Sequence, residues 1–350
     1  MRITRVSFER LDLKLSEPYT IAYETISQAS NFILKIETES NLIGLGCAAP
    51  DKEVTGESPD DVDIKIRDVV VPFLKGKDAF RYVFLIEELK VLLPSHPSVL
   101  AMVDMALLDI ASKKMEVPLY KFLGGFKTEI ATSITIGILP LDETLEKAKK
   151  YFSEGFRIIK LKGGKSVEED IEKILKIKEL FPDVILRFDG NQGYNEEQAL
   201  RFVNGVKSAE IEIFEQPVAT DREGLMGKIS NLIHLPVMAD ESVKTLTDAF
   251  RLAQNNLIDM VNIKIMKVGG IMQGLHINSV AKSANLEVMV GCLDECGLGI
   301  AAGLHFALSR PNIEYADLDG HLDFIDAPFA DIFTLKNGVL HPSDKPGLGA

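Results

Sequence analysis

Cysteine is scarce in this chain, and long apolar runs are missing altogether. Only Cys47, Cys292 and Cys296 occur among 350 residues. Three thiols cannot all pair, and so few in so long a chain do not make a disulfide framework, so a reducing compartment is expected. No run of roughly 18 apolar residues is free of charge. The richest, from Leu286 onward, is interrupted by Glu287, Asp294 and Glu295, so no membrane span is expected. The amino-terminal stretch MRITRVSFERLDLKL alternates polar and apolar residues and holds no apolar block, which argues for a first strand and against a secretion signal. The cytoplasm is the expected location. A basic excess is also lacking: 39 Lys and Arg stand against 52 Asp and Glu, a net charge of −13. Such a chain repels phosphate backbones and anionic lipid, so neither nucleic acid nor a membrane is an expected partner.

What remains is ordinary globular composition, 46% hydrophobic and 26% charged, enough for a large core or two domains. From about Ala131 short β-rich segments recur: ATSITIG, RIIKLKGG, VILRFDGN, EIFEQP, PVMADES, MVNIKIM, EVMVGC and IEYADLD. Their starts lie roughly 24 to 28 residues apart, which leaves room for one helix in each gap. The clearest helix is SVEEDIEKILKIKELFP, where Ile171, Ile174, Leu175, Ile177 and Leu180 follow the 3.6 repeat and Pro182 ends it. A doubly wound sheet or a closed barrel would suit this alternation, and eight evenly spaced units favour the barrel. The expected fold class is therefore α/β, a modified (β/α) TIM-type barrel spanning 126–320. Residues 1–125 read as a separate α+β cap, with strand patterns near Ile3 to Leu15 and Asn31 to Ile43 and helices around Asp60 to Leu74 and Ser98 to Lys113. The tail 321–350 lacks the period and is expected to pack back on the cap.

Chemistry in such a barrel gathers at the carboxyl ends of the strands. There the second segment ends in Lys160 and Lys162, two residues apart and so on one face of a strand. The third ends in Asp189, the fourth in Glu215, the fifth in Asp240 and the sixth in Lys264. A single loop acid is ordinarily a solvated carboxylate or a helix N-cap. One acid from each of three consecutive strands is a converging oxygen site, and hard oxygen ligands suit Mg²⁺.

These residues resemble the enolase superfamily in its muconate-lactonizing-enzyme subgroup, over essentially the whole chain, including PLYKFLGG (Pro118 to Gly125) and the closing PGLG. No histidine ends a strand, His276 and His305 falling in expected helices, so the histidine-base subgroup resembling mandelate racemase does not fit. The resemblance implies one Mg²⁺ on Asp189, Glu215 and Asp240. It also implies removal of a proton α to a carboxylate, with the metal stabilising an ene-diolate. Lys162 would carry the proton on one face and Lys264 on the other, with Lys160 at the substrate carboxylate. A free lysine has a pKa of about 10.4. The Lys160 ammonium and the metal together are expected to draw that of Lys162 towards the roughly 7 to 8 useful for proton transfer.

Two bases on two faces permit racemisation or epimerisation, whereas a muconate-type cycloisomerase or an o-succinylbenzoate synthase needs only one. The eighth segment ends YADLDG, placing Asp317 and Asp319 on one face with Leu318 turned away. In the dipeptide epimerases of this subgroup an Asp-x-Asp here holds the ammonium of a dipeptide, so a small-molecule dipeptide is the expected partner, epimerisation the expected reaction, and a homo-oligomer the expected assembly. Thr135 and Cys292 are expected beside the same substrate. Glu24 stands where relatives acting on Ala-Glu have arginine, and Asp294 where relatives are often apolar. Both acids would repel an acidic side chain and attract a Lys or Arg.

Overall fold

Period-two alternation at the amino terminus folds as an antiparallel sheet of three strands, Ile3–Thr20, Thr25–Thr38 and Ile43–Ala48, in that order. The computed structural model describes residues 1–20 and 25–350, so Glu24 lies outside the described residues. The run from Asn31 to Ile43, which reads as one strand in the sequence, is divided in the structure. Thr38 N donates to Leu42 O at 3.0 Å, and Asn41 turns the chain with φ 61°. Asparagine tolerates that left-handed conformation, so the alternating pattern passes through a turn without a glycine to mark it. Phe32, Leu34 and Ile36 alternate towards the cap core, where they meet the helix Pro97–Lys114. The other expected helix is present as a continuous run of Pro59–Lys65, a π-type turn Ile66–Val70, and Val71–Leu74.

The period of β-rich segments becomes eight parallel strands that neighbour one another in sequence order: Ile134–Ile136, Ile158–Lys162, Ile185–Asp189, Ile213–Glu215, Val237–Ala239, Met260–Lys264, Glu287–Gly291 and Ile313–Asp317. A bridge between Thr132 and Ala316 brings the last strand round to the first and closes the ring. Helices fill the gaps. Val167–Leu180 buries Ile174 and Ile177 against the barrel, as its 3.6 repeat requires. No helix among the described residues is long and apolar enough to cross a membrane.

The chain beyond Gly320 touches both parts. Ile325 N donates to Lys14 O at 3.1 Å, and Leu348 N to Asp109 Oδ1 at 2.8 Å. The hairpin of Phe333–Lys336 and Val339–Pro342 pairs with Ile130 and Ala131, just below the first barrel strand.

Cap and barrel are joined by buried polar contacts as well as by apolar packing. Asn31 on the second cap strand donates to Asp294 O at 2.9 Å and accepts from Cys296 N at 2.8 Å, holding a barrel loop at both ends. The Cys47 and Cys296 sulfurs meet at 3.6 Å as free thiols. Asp104, buried in the long cap helix, accepts from Ile271 N at 2.6 Å and Met272 N at 3.2 Å and so caps the barrel helix Ile271–Ser283. Gly270 precedes that helix with φ 119°, and a Cβ there would sit 2.7 Å from the Asp104 carboxylate. Burial pushes Asp104 up to about 7, against the backbone donors that favour its charged form. Asp104→Ala would leave two buried N–H groups without an acceptor. We expect it to lower stability by about 1–3 kcal/mol in urea unfolding; a loss under about 0.5 kcal/mol would show that the carboxylate does not hold this helix.

Candidate active site

Strand register decides which side chains meet at the barrel mouth. Lys162 lies opposite Asp189, and Asp189 opposite Glu215. Farther round, Lys264 lies opposite Gly291, and Gly291 opposite Asp317, while Thr135 pairs with Lys160. Each of these residues closes or nearly closes its strand, so side chains distant in sequence share one rim.

Asp189, Glu215 and Asp240 are all buried, and one carboxylate oxygen of each lies within 4.8 Å of the others. Lysines interleave with them. The Lys160 ammonium is 2.6 Å from Glu215, 2.9 Å from Asp317 and 3.2 Å from Asp189. Lys162 meets the same Asp189 oxygen at 2.7 Å, so the two like charges of RIIKLKGG converge on one carboxylate. Lys264 reaches Asp240 Oδ2 at 2.7 Å, and Lys267 reaches Oδ1 at 2.5 Å.

The charges within this cluster are shared unevenly. Burial works against the Lys160 ammonium, but Asp317, Glu215 and Asp189 together hold its pKa well above the ordinary lysine value. Glu215 is nevertheless pushed up to about 7, by burial first and then by the charge of Asp189. One ammonium divided among three carboxylates does not balance them all. Asp240 is also buried, yet Lys264 and Lys267 hold it well below the ordinary carboxylate range. A divalent cation fits this donor set: the ligands are hard oxygens, they already converge, and Asn191 Oδ1 and Glu241 Oε2 are buried nearby without partners among the described residues. Asp240 and Glu215 hold the Lys264 ammonium well above the ordinary lysine value against burial, and a cation taking the three carboxylates would withdraw that negative charge from it.

Above the cluster opens a cavity of about 460 Å³. Lys160, Lys162 and Lys264 line part of its wall, and Thr135, Cys292, Asp294, Asp317 and Asp319 are among the other residues that line it. The two acids of YADLDG differ. Asp317 pairs with Lys160 and accepts from Ser133 Oγ at 2.6 Å; burial would raise its pKa, but these partners hold it near 2. Asp319 accepts from Thr135 N at 2.6 Å and makes no ion pair among the described residues. Burial and then the Asp317 charge push it up to about 7. Asp294 is half-buried and accepts from the Tyr19 hydroxyl at 3.0 Å; burial lifts it to about 6. Tyr19, Asp51 and Asp323 also face the cavity. They carry no strand-end signal in the sequence, because cap and tail segments bring them in from outside the barrel.

Residues 4–124 match the mandelate racemase / muconate lactonizing enzyme N-terminal domain, and residues 143–350 match the enolase C-terminal domain-like family. The chain belongs to the enolase superfamily. Within that superfamily it is 39% identical to an L-Lys-D/L-Arg epimerase of Desulforapulum autotrophicum, covering 100% of this chain and 99% of the relative. The structure of a dipeptide epimerase from Methylococcus capsulatus complexed with Mg and the dipeptide L-Arg-D-Lys superimposes with a TM-score of 0.94 at 35% identity, covering 100% of this chain and 99% of that one. A substrate-liganded L-Ala-D/L-Glu epimerase from Bacillus subtilis gives 0.95 at 34% identity, with 100% and 98% covered.

Five acids outside the metal ligands, the buried Asp104, Glu241, Glu295 and Asp319 and the half-buried Asp323, have pKa values raised chiefly by burial to about 7 or 8. An unfolded carboxyl titrates near about 4, so between pH 4 and 8 these acids hold more protons in the folded chain than in the unfolded one. They outnumber His305 and His321, which burial lowers to about 4 and which oppose them at the acid end of this range. The acids' contribution to stability is complete below the unfolded value and is lost as pH rises through the folded values. The metal-free protein is therefore expected to have a higher urea midpoint at pH 5.5 than at pH 8.5. A midpoint that rises over this interval would contradict the burial of these groups.

Proposed function

We infer that this chain is a Mg²⁺-dependent dipeptide epimerase that moves the proton on the carbon α to the substrate carboxylate, and that it prefers dipeptides containing Lys or Arg. The observation that carries the dipeptide reading is Asp319, a buried carboxylate in the cavity wall with no cation of its own among the described residues. The free ammonium of a dipeptide supplies that charge. Muconate-type cycloisomerisation and o-succinylbenzoate synthesis involve no substrate ammonium and give Asp319 no partner.

Asp189, Glu215 and Asp240 would hold the metal. Bound there, Mg²⁺ supplies positive charge to the substrate carboxylate and lowers the barrier to removing the neighbouring proton. Lys162 and Lys264 approach the site from the second and sixth strands, with the acids between them. One takes the proton from its face of the carbon and the other returns a proton to the opposite face. Lys160, fully buried among acids, holds its charge and orients the substrate carboxylate. The division of the chain into a cap at 1–125 and a barrel at 126–320 is supported by their separate sheets. It lets cap residues such as Tyr19 shape the cavity without entering the proton transfer.

The cationic preference rests on Asp294 in the cavity wall and on Glu24 in the sequence. Asp51 and Asp323 add to the acids that a cationic side chain would meet, and an L-Lys-D/L-Arg epimerase is among the relatives.

Lys162→Ala and Lys264→Ala are each expected to lower epimerisation by about 100-fold or more, measured by polarimetry, while solvent deuterium exchange survives from one stereoisomer only. Full turnover by either variant would rule out the pair of bases. A charge pair near a protein surface is worth about 1 to 4 kcal/mol, and about 1.4 kcal/mol is tenfold in specificity. kcat/KM for a dipeptide containing Lys or Arg is thus expected to exceed that for Ala-Glu by at least about tenfold, with Asp294→Leu or Glu24→Arg narrowing the ratio. A ratio favouring Ala-Glu, or one that neither substitution moves, would remove the cationic assignment.

A further inference from the structure

Glu215 is the middle carboxylate of the triad, flanked by Asp189 on the neighbouring third strand and by Asp240, which follows the fifth. Three like charges within 4.8 Å repel one another, and each must be held if they are to face a single point. Lys160 holds Glu215 Oε2. Its other oxygen, Oε1, is held from the sixth strand, where Asn262 Nδ2 donates to it at 2.8 Å. Both residues are essentially closed to solvent.

The placement of Asn262 has a specific use. Its Oδ1 is buried without a donor among the described residues, so the amide makes one side-chain hydrogen bond, and that bond goes to Glu215. Only the nitrogen end of the amide can face a carboxylate oxygen, which fixes its orientation. The backbone carbonyl of Asn262 accepts from Lys267 at 3.1 Å, and the same ammonium holds Asp240. One short segment therefore steadies two of the three acids. Room for the amide comes from the next strand. A Cβ on Gly291 would lie 2.6 Å from Asn262 Oδ1 and 2.9 Å from Nδ2, so any larger residue would push the amide off Glu215.

We propose that Asn262, given space by Gly291, is a positioning residue that presets Glu215 for the metal and so governs metal affinity and not the proton transfer itself. This rests on assigning Mg²⁺ to the triad. Partners that orient a metal ligand contribute about 10- to 100-fold to affinity when removed. The Asn262 side chain carries no charge, so its replacement leaves the formal charge of the site unchanged.

The test is calorimetric titration of Mg²⁺ into the metal-free parent, Asn262→Leu and Gly291→Ala, with circular dichroism to establish folding. Asn262→Ala, which adds no bulk, serves if the leucine variant does not fold. We expect the Kd for Mg²⁺ to weaken by about 10-fold or more in the variants, with kcat returning close to the parent value once Mg²⁺ is saturating. A Kd within about twofold of the parent in folded variants, against the expected 10- to 100-fold, overturns the proposal. So does a loss of kcat that saturating Mg²⁺ does not restore. If the parent itself binds no Mg²⁺, the metal reading falls with it; if the parent binds and the variants bind equally, only the role of Asn262 falls.

Discussion

Three buried carboxylates cannot share the mouth of a barrel without positive charge among them, and the rest of this site follows from how that charge is supplied. Asp189, Glu215 and Asp240 are met by Lys160, Lys162, Lys264 and Lys267, each ammonium within 3.2 Å of at least one of them. Two of the lysines that balance the acids, Lys162 and Lys264, are the pair proposed to move the proton. A divalent cation and the lysines therefore compete for the same negative charge, and that competition is the physical link between metal binding and the readiness of a lysine to act as a base.

The surrounding fold keeps this cluster buried and its acids convergent. Parallel register sets Lys162, Asp189 and Glu215 side by side, and the cap closes over them through contacts that reach into the barrel loops. Asn31 ties both ends of the loop carrying Asp294, and Tyr19 hydrogen-bonds the Asp294 side chain itself. A cap residue thus sets the orientation of an acid on the seventh barrel loop. Substrate preference can then change through the cap while the rim of acids and lysines stays fixed.

Much of this could be read from the sequence, for reasons that differ by residue. The barrel was legible because eight β-rich segments recur at an even spacing, and the rim acids because each ends such a segment. Lys160 and Lys162 stood out because two residues apart means one face of a strand. Other features had no local signature. The turn at Asn41 lies inside an unbroken alternating pattern. Asn262 and Asp104 gain their roles from partners 47 and 167 residues away. The difference between Asp317 and Asp319 is likewise tertiary: one meets Lys160 and the other does not, although the sequence presents them as a matched pair.

The central claim, that Lys162 and Lys264 exchange the α proton of a dipeptide held at its ammonium by Asp319, is tested most directly by incubating a dipeptide library with the Mg²⁺-loaded protein in D₂O and reading the products by mass spectrometry. The account predicts that epimerised dipeptides each gain one deuteron, with those containing Lys or Arg labelled first, and that N-acylated counterparts lacking the ammonium stay unlabelled. Absence of label in every dipeptide, or equal labelling of the N-acylated compounds, would contradict it.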